Sequence, residues 1–172
     1  YIYVRLENTQ KVLEAFKNFV IQQSRSRLTK AGKKATGDLY NQLEGQVKEM
    51  NNSISVKFDM PYYGMFQDKG VSGTKQKYNT PFSYGSKMPP IKALADWAKL
   101  KNIRLRDSKG KYTKGNYNTI GFLFARSIQK KGIKPSLFFT KPFEQGFEKL
   151  PKELIEAFGL DIEDFFDYTL KK

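Results

Sequence analysis

Residues 46–60, QVKEMNNSISVKFDM, carry the pattern on which the prediction of the fold depends most. Its second half alternates polar and apolar side chains, the period of a strand with one buried face. The apolar set is Ile54, Val56, Phe58 and Met60. Asn51-Asn52 favours a two-residue turn, because asparagine tolerates positive φ. We therefore predict a β-hairpin, with Ser53–Met60 as its stronger strand and Gln46–Met50 as its weaker one.

On both sides of this hairpin, apolar residues recur every three or four positions, which predicts helices. The predicted helices cover about 9–31, a short turn after residue 37, 61–69, 90–102, 119–131, 142–158 and 161–170. We expect Asn8 or Thr9 to cap the first helix. Pro151 is expected to kink or restart the helix that follows residue 142, and Gly159 to stop it.

A helix, a hairpin and then several helices predict an α+β fold, in which helices pack on a small antiparallel sheet. The 172 residues suit a single domain, with its core over about 8–158. Two long stretches lack any hydrophobic period, and we predict irregular basic loops at 71–88 and 103–117. Residues 159–172 are a predicted acidic C-terminal extension.

Composition excludes several kinds of site. The chain has no cysteine and no histidine, so it has no disulfide, no catalytic thiol and no imidazole base. Asp59 and Asp68 show no recognisable catalytic spacing and are interpreted as surface residues. We predict a protein that is not an enzyme and uses no cofactor. No apolar run approaches the ~18 residues of a membrane span, and the N-terminus has no signal-peptide layout.

The net charge of +14 is distributed unevenly along the chain. Residues 1–143 carry 27 Lys and Arg against 9 Asp and Glu, whereas residues 144–172 carry 4 against 8. A basic body with an acidic tail has two interpretations. The body meets a polyanion, or the tail of one copy faces the body of the next copy.

The two predicted loops combine basic side chains with tyrosines, a composition that suits contact with nucleic acid or with another subunit. The candidate interface residues are Lys69, Lys75, Lys77, Tyr78, Tyr84, Arg104, Arg106, Lys109, Lys111 and Lys114. The acidic tail candidates are Asp161, Glu163, Asp164 and Asp167. We expect these four acids on the wet side of an amphipathic helix rather than around a metal ion.

Three segments together resemble a known family. They are PYYGMFQDKGVSGT at 61–74, MPPIKALADWAKLKNI at 88–103 and FLFARSIQKKGIKPSLFFTKPF at 122–143. In this order they resemble the HK97 gp10-like class of tailed-bacteriophage neck, tail-completion and head–tail joining proteins. The resemblance covers about residues 35–150. The chain departs from the family pattern in the basic insertion after Ile103 and in the acidic C-terminal tail.

The resemblance implies a structural virion protein that forms a homo-oligomeric ring, sixfold or twelvefold, at the junction of head and tail. Such a ring surrounds the passage for double-stranded DNA and contacts neighbouring neck, portal or tail-tube proteins. It belongs to the virion and is assembled in the host cytoplasm. Whether it is the completion, stopper or terminator layer stays open. The positions that the resemblance marks as structural are Tyr63, Phe66, Gly70, Trp97, Gly132 and Pro135.

The ring subunit is the first hypothesis, a non-specific double-stranded DNA-binding protein is the second, and a hydrolase or nuclease is the third. In the first, residues 71–88 and 103–117 leave the subunit's own core, contact neighbours and order on assembly. We also predict that Trp97 is buried between its helix and the hairpin, so that Trp97→Ala removes about 3 to 5 kcal/mol of stability.

Overall fold

The structure is a computed structural model that describes residues 5–32, 37–50 and 53–170. Within these ranges the chain forms six helices and four short strands. The helices are α1 (Glu7–Lys30), α2 (Asp38–Asn41), α3 (Tyr63–Lys69), α4 (Ile91–Leu100), α5 (Tyr117–Lys131) and α6 (Thr140–Leu170). The strands are β1 (Glu44–Met50), β2 (Ser53–Asp59), β3 (Val71–Ser72) and β4 (Gly132–Ile133).

The predicted α+β fold is confirmed. The quoted stretch forms an antiparallel hairpin in which Val47 pairs with Val56 and Met50 pairs with Ser53. A second antiparallel pair joins β3 to β4. The predicted Asn51-Asn52 turn lies outside the described residues.

The chain divides into two compact units. One comprises residues 1–64 and 137–172, and we call it the hairpin unit. The other is Met65–Ser136, which we call the basic unit. The single domain stays a prediction, because two compact units can belong to one domain.

The core of the hairpin unit lies where α1 packs on the hairpin and on α6. Leu13, Phe16, Val20 and Leu150 are buried at its centre. Phe16 meets Phe143 and Phe58 edge to face, at ring-centroid distances of 5.5 and 6.1 Å. Aromatic side chains therefore link α1, β2 and α6 into one apolar layer.

The prediction that Gly159 stops the helix that follows residue 142 is wrong, and so is a restart at Pro151, while a kink at Pro151 stays a prediction. α6 is one helix of 31 residues that passes through both positions. Its inner face packs along α1, and Leu150, Ala157 and Asp161 lie buried on that face. Tertiary packing along a neighbouring helix thus overrides the local preference of proline and glycine to end a helix.

The first helix is capped differently from the prediction. α1 begins at Glu7, and its N-cap residue Leu6 makes no side-chain cap. Asp161 supplies the cap from α6: its carboxylate accepts from the backbone N–H of Asn8 at 2.8 Å and of Thr9 at 2.9 Å. Thr9 Oγ1 donates a third bond to it at 2.7 Å. Thr9 is buried, so here it is a donor to the cap rather than the cap itself.

The basic unit is organised by α4 and α5, which pack closely along each other. Ala95, Ala98 and Ala125 are buried in this contact, and Gly121 lies against the backbone of α4. Small side chains let the two helices approach each other. Asn116 caps α5 by accepting from the backbone N–H of Thr119 at 2.8 Å, and Gly132 ends the helix at φ +75°.

Trp97 is not buried, contrary to the prediction. Its side chain is 38% exposed and meets Phe124 of α5 edge to face, with ring centroids 5.5 Å apart. The side chain lies at the edge of the α4–α5 contact, in which alanines are buried.

We therefore expect Trp97→Ala to lower the free energy of unfolding by about 1 to 2 kcal/mol, less than a fully buried tryptophan loses. Urea unfolding followed by circular dichroism measures the change. Trp97→Phe keeps a ring against Phe124 and serves as the control, with a loss of less than half as much. A loss above about 3 kcal/mol for Trp97→Ala would indicate a side chain that is buried after all.

Candidate nucleic-acid interface

The positive charge of the protein is concentrated in one of the two units. The basic unit contains 16 Lys and Arg against 3 Asp and Glu, a balance of +13, while the rest of the chain contains 15 against 14, a balance of +1. The sequence suggested a basic body followed by an acidic tail. The structural division instead places nearly all of the net charge within Met65–Ser136, so a polyanion is attracted mainly to this unit.

Residues 104–114 form an ordered turn that we call the basic hairpin. Arg106 pairs with Tyr112 in an antiparallel bridge, and the backbone N–H of Thr113 donates to Leu105 O at 3.0 Å. Asp107 closes the turn, because its carboxylate accepts from the backbone N–H groups of Lys109 and Lys111 at 2.9 Å each. Apart from this turn and its single bridge, residues 103–116 contain no helix or strand, and Tyr117 begins α5, so the stretch is irregular in secondary structure although it is ordered.

Two arginines of the basic hairpin are held against one tyrosine. Arg106 Nη2 donates to Tyr112 Oη at 2.8 Å, and its guanidinium carbon lies 4.5 Å from the centre of the Tyr112 ring. The guanidinium carbon of Arg104 lies 5.9 Å from the same ring. These cation–π contacts restrict the arginines at an exposed surface. Two guanidinium groups held against one exposed ring suit contact with phosphate oxygens, since each presents a planar set of donors.

Residues 71–88 are folded against their own unit. The backbone N–H groups of Thr74 and Lys75 donate to Gln129 O and Lys130 O at 2.8 and 2.9 Å. Gln129 Nε2 donates in turn to Gly85 O at 2.9 Å. The prediction of a loop that orders only on assembly is therefore wrong.

Close backbone contacts explain why this segment is ordered. A Cβ atom at Gly73 would overlap the carbonyl group of Lys130, and one at Gly132 would overlap Val71 O. Glycines at these points let β3 and β4 come together without side chains between them. The ring of Phe82 also packs edge to face on Phe66, with centroids 4.8 Å apart.

The structure divides the predicted basic candidates into two local groups. Arg104, Arg106, Lys109, Lys111 and Lys114 belong to the basic hairpin, where all five are exposed. Lys69, Lys75 and Lys77 are exposed on α3 and on the segment that follows β3. The second group is joined at the end of α5 by Lys130, which sequence reasoning did not select. The pairing of β3 with β4 brings Lys130 to this second group. The glycines at 70, 73 and 132 are the feature of the sequence that could have indicated this pairing.

The predicted tyrosines have different environments. Tyr112 is 63% exposed, whereas Tyr78 and Tyr84 are half-buried. The backbone of Tyr78 is tied to Ser72 Oγ in both directions, at 3.0 and 3.1 Å. Burial raises the pKa of Tyr84, so its hydroxyl stays protonated at neutral pH. Tyr112 is therefore the predicted tyrosine best placed to contact a ligand.

The acidic candidates of α6 also have different environments. Glu163, Asp164 and Asp167 are exposed on α6, as predicted, but Asp161 is 2% exposed and caps α1. Burial opposes its ionisation, but the hydrogen bonds from Thr9 and Asn8 outweigh burial and hold the pKa of Asp161 below its ordinary value. Asp68 is likewise buried, at 3% exposed, and not the surface residue expected.

The positions marked by the resemblance lie in different places. Gly70 approaches Ile133 and Pro135 so closely that a Cβ atom there would be 2.6 Å from each. Tyr63 is 45% exposed, and burial together with the negative charge of Asp38 raises its pKa. Among residues 5–32, 37–50 and 53–170, no group of three or more acidic side chains is arranged to hold a metal ion.

Comparisons with known proteins gave no match: no protein-family model, no curated protein and no solved structure matches this chain. Within the part of the chain that the structure describes, no helix is both long enough and apolar enough to cross a membrane.

Proposed function

We propose that this protein is a structural, ring-forming subunit of a tailed-phage virion, located in the neck between head and tail, around the DNA passage. The observation that carries the proposal is that the segments of the resemblance meet one another in the basic unit. β3 belongs to the first segment and β4 to the third, and they pair at Val71–Ile133. Trp97 of the second segment packs on Phe124 of the third.

This convergence matters because the three segments are far apart in the sequence. Residues 71 and 133 are brought together by glycines that allow backbone contact, and three of the six residues that the resemblance marks, Gly70, Gly132 and Pro135, lie at that contact. A set of short motifs that forms one packed unit is better support for common ancestry than the same motifs scattered over a surface. We infer the family's fold, the ring and the virion location for this chain from the resemblance.

Exposed apolar side chains support a role in assembly. Monomeric proteins rarely expose large contiguous apolar patches, yet α6 leaves Ile155 at 74% and Leu170 at 81% exposed. Leu100 of α4 is 64% exposed. Such side chains suit a subunit whose surfaces are covered by neighbours. We therefore place structural assembly, and not catalysis, at the centre of the proposal.

Electron microscopy of the purified protein and of intact phage particles that carry it tests the proposal. We expect closed rings, and density for the subunit at the head–tail junction around the DNA passage. A tag on the chain, detected by gold labelling, locates it within the particle. Absence of the chain from the junction in labelled particles would overturn the proposal, whatever the purified protein does.

A non-specific double-stranded DNA-binding protein is the second candidate, and the +13 balance of the basic unit favours it. Binding driven by phosphate contacts weakens linearly in log affinity with log salt, with a slope of about −0.9 for each phosphate neutralised. The ordered structure of the basic hairpin also favours DNA binding, because its arginines are already held in position.

We expect glutamine substitutions in the basic hairpin to flatten the salt dependence of binding to a random-sequence duplex. Four neutralised cations should reduce the slope by about 2 to 4. Fluorescence anisotropy over a salt series measures it. The variant replaces Arg104, Arg106, Lys109 and Lys111.

The matched control neutralises four exposed lysines of the hairpin unit, Lys11, Lys30, Lys48 and Lys149. Net charge changes equally in both variants, so a difference between them reports location rather than total charge. Equal slopes for the two variants would contradict a DNA surface at the basic hairpin. No binding of the unmodified protein at low salt would remove this second candidate.

A further inference from the structure

α6 carries an apolar stripe on a face that its own unit does not cover. Its buried face includes Leu150, Ala157 and Asp161, whereas a second row of apolar residues is turned away from that face. The exposed members of this row, which we call the α6 stripe, are Ile155 at 74%, Phe158 at 49%, Phe166 at 55% and Leu170 at 81%. Spacings of three, eight and four residues keep the row on one side of the helix.

The charged side chains of the helix segment that carries the α6 stripe are all acidic. Residues 153–170 contain six Asp and Glu and no Lys or Arg. One of the six, Asp161, is buried as the cap of α1, and the other five are exposed. An apolar row on a negatively charged helix segment is suited to a partner that offers apolar side chains within a positive surface, and it disfavours acidic or uncharged partners.

The basic unit of the same chain has a surface of this complementary kind. At the C-terminal end of α4, Trp97 and Leu100 are 38% and 64% exposed. Lys99 lies in the same last turn, Lys101 and Arg104 follow the helix, and all three are exposed. We call this set the α4 face. The α6 stripe is not covered by the rest of the hairpin unit, and the α4 face is not covered by the rest of the basic unit.

We propose that the α6 stripe of one copy docks on the α4 face of a second copy, with the acids of α6 against the lysines of α4. The partner is identified as a second copy because of charge complementarity: a segment with five exposed acids and no base meets a unit with a balance of +13. This inference rests on the proposed ring, and it specifies which surfaces of the subunit form the contact.

The contact joins two different surfaces, so each copy keeps one free surface of each kind. A contact of this heterologous type closes into a ring when the rotation between neighbours permits it, and otherwise continues as a filament. The contact combines apolar burial with opposite charges. We expect salt to weaken it only in part, because screening acts on the charges and not on the apolar side chains.

Charge reversal on each surface tests the contact. One variant carries Glu156→Lys and Glu163→Lys on α6, and the other carries Lys99→Glu and Lys101→Glu on α4. Analytical ultracentrifugation measures the oligomeric state, and circular dichroism checks that each variant is folded. We expect each variant alone to be at least tenfold weaker in self-association than the unmodified protein.

Mixing the two variants provides the decisive measurement. The reversed α6 of the first variant then meets the reversed α4 of the second, and the two unmodified surfaces meet as well, so assembly should return to within threefold of the unmodified protein. The control reverses Glu44 and Glu49, two exposed acids of β1, which changes the net charge as much as the α6 variant does without touching either surface. This control should assemble normally.

The outcomes separate this inference from the proposed function. Rings that persist in both charge-reversal variants would overturn the α6–α4 contact and leave the neck proposal standing. An unmodified protein that stays monomeric at all concentrations, or a mixture that fails to recover, would also overturn the contact. The neck proposal itself is decided by the location of the chain in particles.

Discussion

Gly132→Ala is expected to destabilise the basic unit by about 3 to 5 kcal/mol, the largest effect that we expect from a single methyl group in this chain. Two physical terms add at this position. Gly132 has φ +75°, where a residue with a side chain is strained. Its Cβ atom would also overlap Val71 O, which is backbone and cannot move aside as a flexible side chain does.

The consequence is local to the pairing of β3 with β4. If β3 shifts to accommodate the new Cβ atom, the hydrogen bonds from Thr74 and Lys75 to the end of α5 are lost with it. We expect the segment 71–88 to loosen first and the rest of the basic unit to become less stable as a result.

The only tryptophan of the chain, Trp97, lies in this unit, so its fluorescence reports unfolding of this part during a urea titration. Gly110→Ala is the matched control. Gly110 also has positive φ, at +78°, but a Cβ atom there would meet nothing within 4 Å. We expect it to lose only about 1 to 2 kcal/mol, the strain of the backbone alone. Similar losses for the two variants would contradict the close backbone approach at β3 and β4.

Asp161→Asn is expected to lower the free energy of unfolding of the hairpin unit by about 2 to 3 kcal/mol. The carboxylate accepts three hydrogen bonds at the start of α1, from the backbone N–H groups of Asn8 and Thr9 and from Thr9 Oγ1. An asparagine side chain has one acceptor oxygen. Its amide N–H groups would face the N–H and O–H groups of Asn8 and Thr9 and could not accept their hydrogen bonds. It also lacks the negative charge that favours the N-terminus of a helix.

The effect should depend on pH in a defined direction. Because the folded protein holds the pKa of Asp161 below the ordinary value of 3.8, the unfolded chain binds a proton more readily. The stabilisation is therefore fully present above that ordinary value, and it is lost as the pH falls through the lower pKa of the folded state. The difference in stability between the unmodified protein and Asp161→Asn should shrink in acid and stay constant near neutrality.

Thermal unfolding followed by circular dichroism between neutral pH and about pH 3 covers this range. Asp164→Asn is the control, since Asp164 is exposed and accepts one longer bond, 3.3 Å, from Asn8 Nδ2. We expect it to change stability by less than about 0.5 kcal/mol. An Asp161→Asn variant as stable as this control at neutral pH would contradict the capping role of Asp161.

Both predictions concern contacts between residues far apart in the sequence, and the proposed function depends on the same kind of contact. The pairing of β3 with β4 brings residues 71 and 133 together, and the surface of the basic unit depends on this pairing. The α6 stripe is separated from the buried face of its helix because Asp161 and α1 fix which side of α6 faces inward. Stability and candidate interface are thus linked through these contacts.

The α+β class, the hairpin and the approximate helices could be predicted from the sequence alone. These features depend on local spacing: Ile54, Val56 and Phe58 alternate as a strand requires, and Pro89-Pro90 and Asn102 bracket α4 closely. The exclusion of histidine- and cysteine-based chemistry also follows from composition alone. Local propensity and hydrophobic period were sufficient to predict secondary structure wherever it depends on residues that are neighbours along the chain.

Features that depend on contacts between distant residues could not be predicted in this way. The continuity of α6 through Pro151 is imposed by α1, the burial of Asp161 by the uncapped start of α1, and the order of residues 71–88 by the end of α5. Trp97 remained exposed because alanines already fill the α4–α5 contact. A one-dimensional pattern specifies which residues prefer to be buried, but the choice among partners is made by shape and by the hydrogen bonds that a folded chain must satisfy.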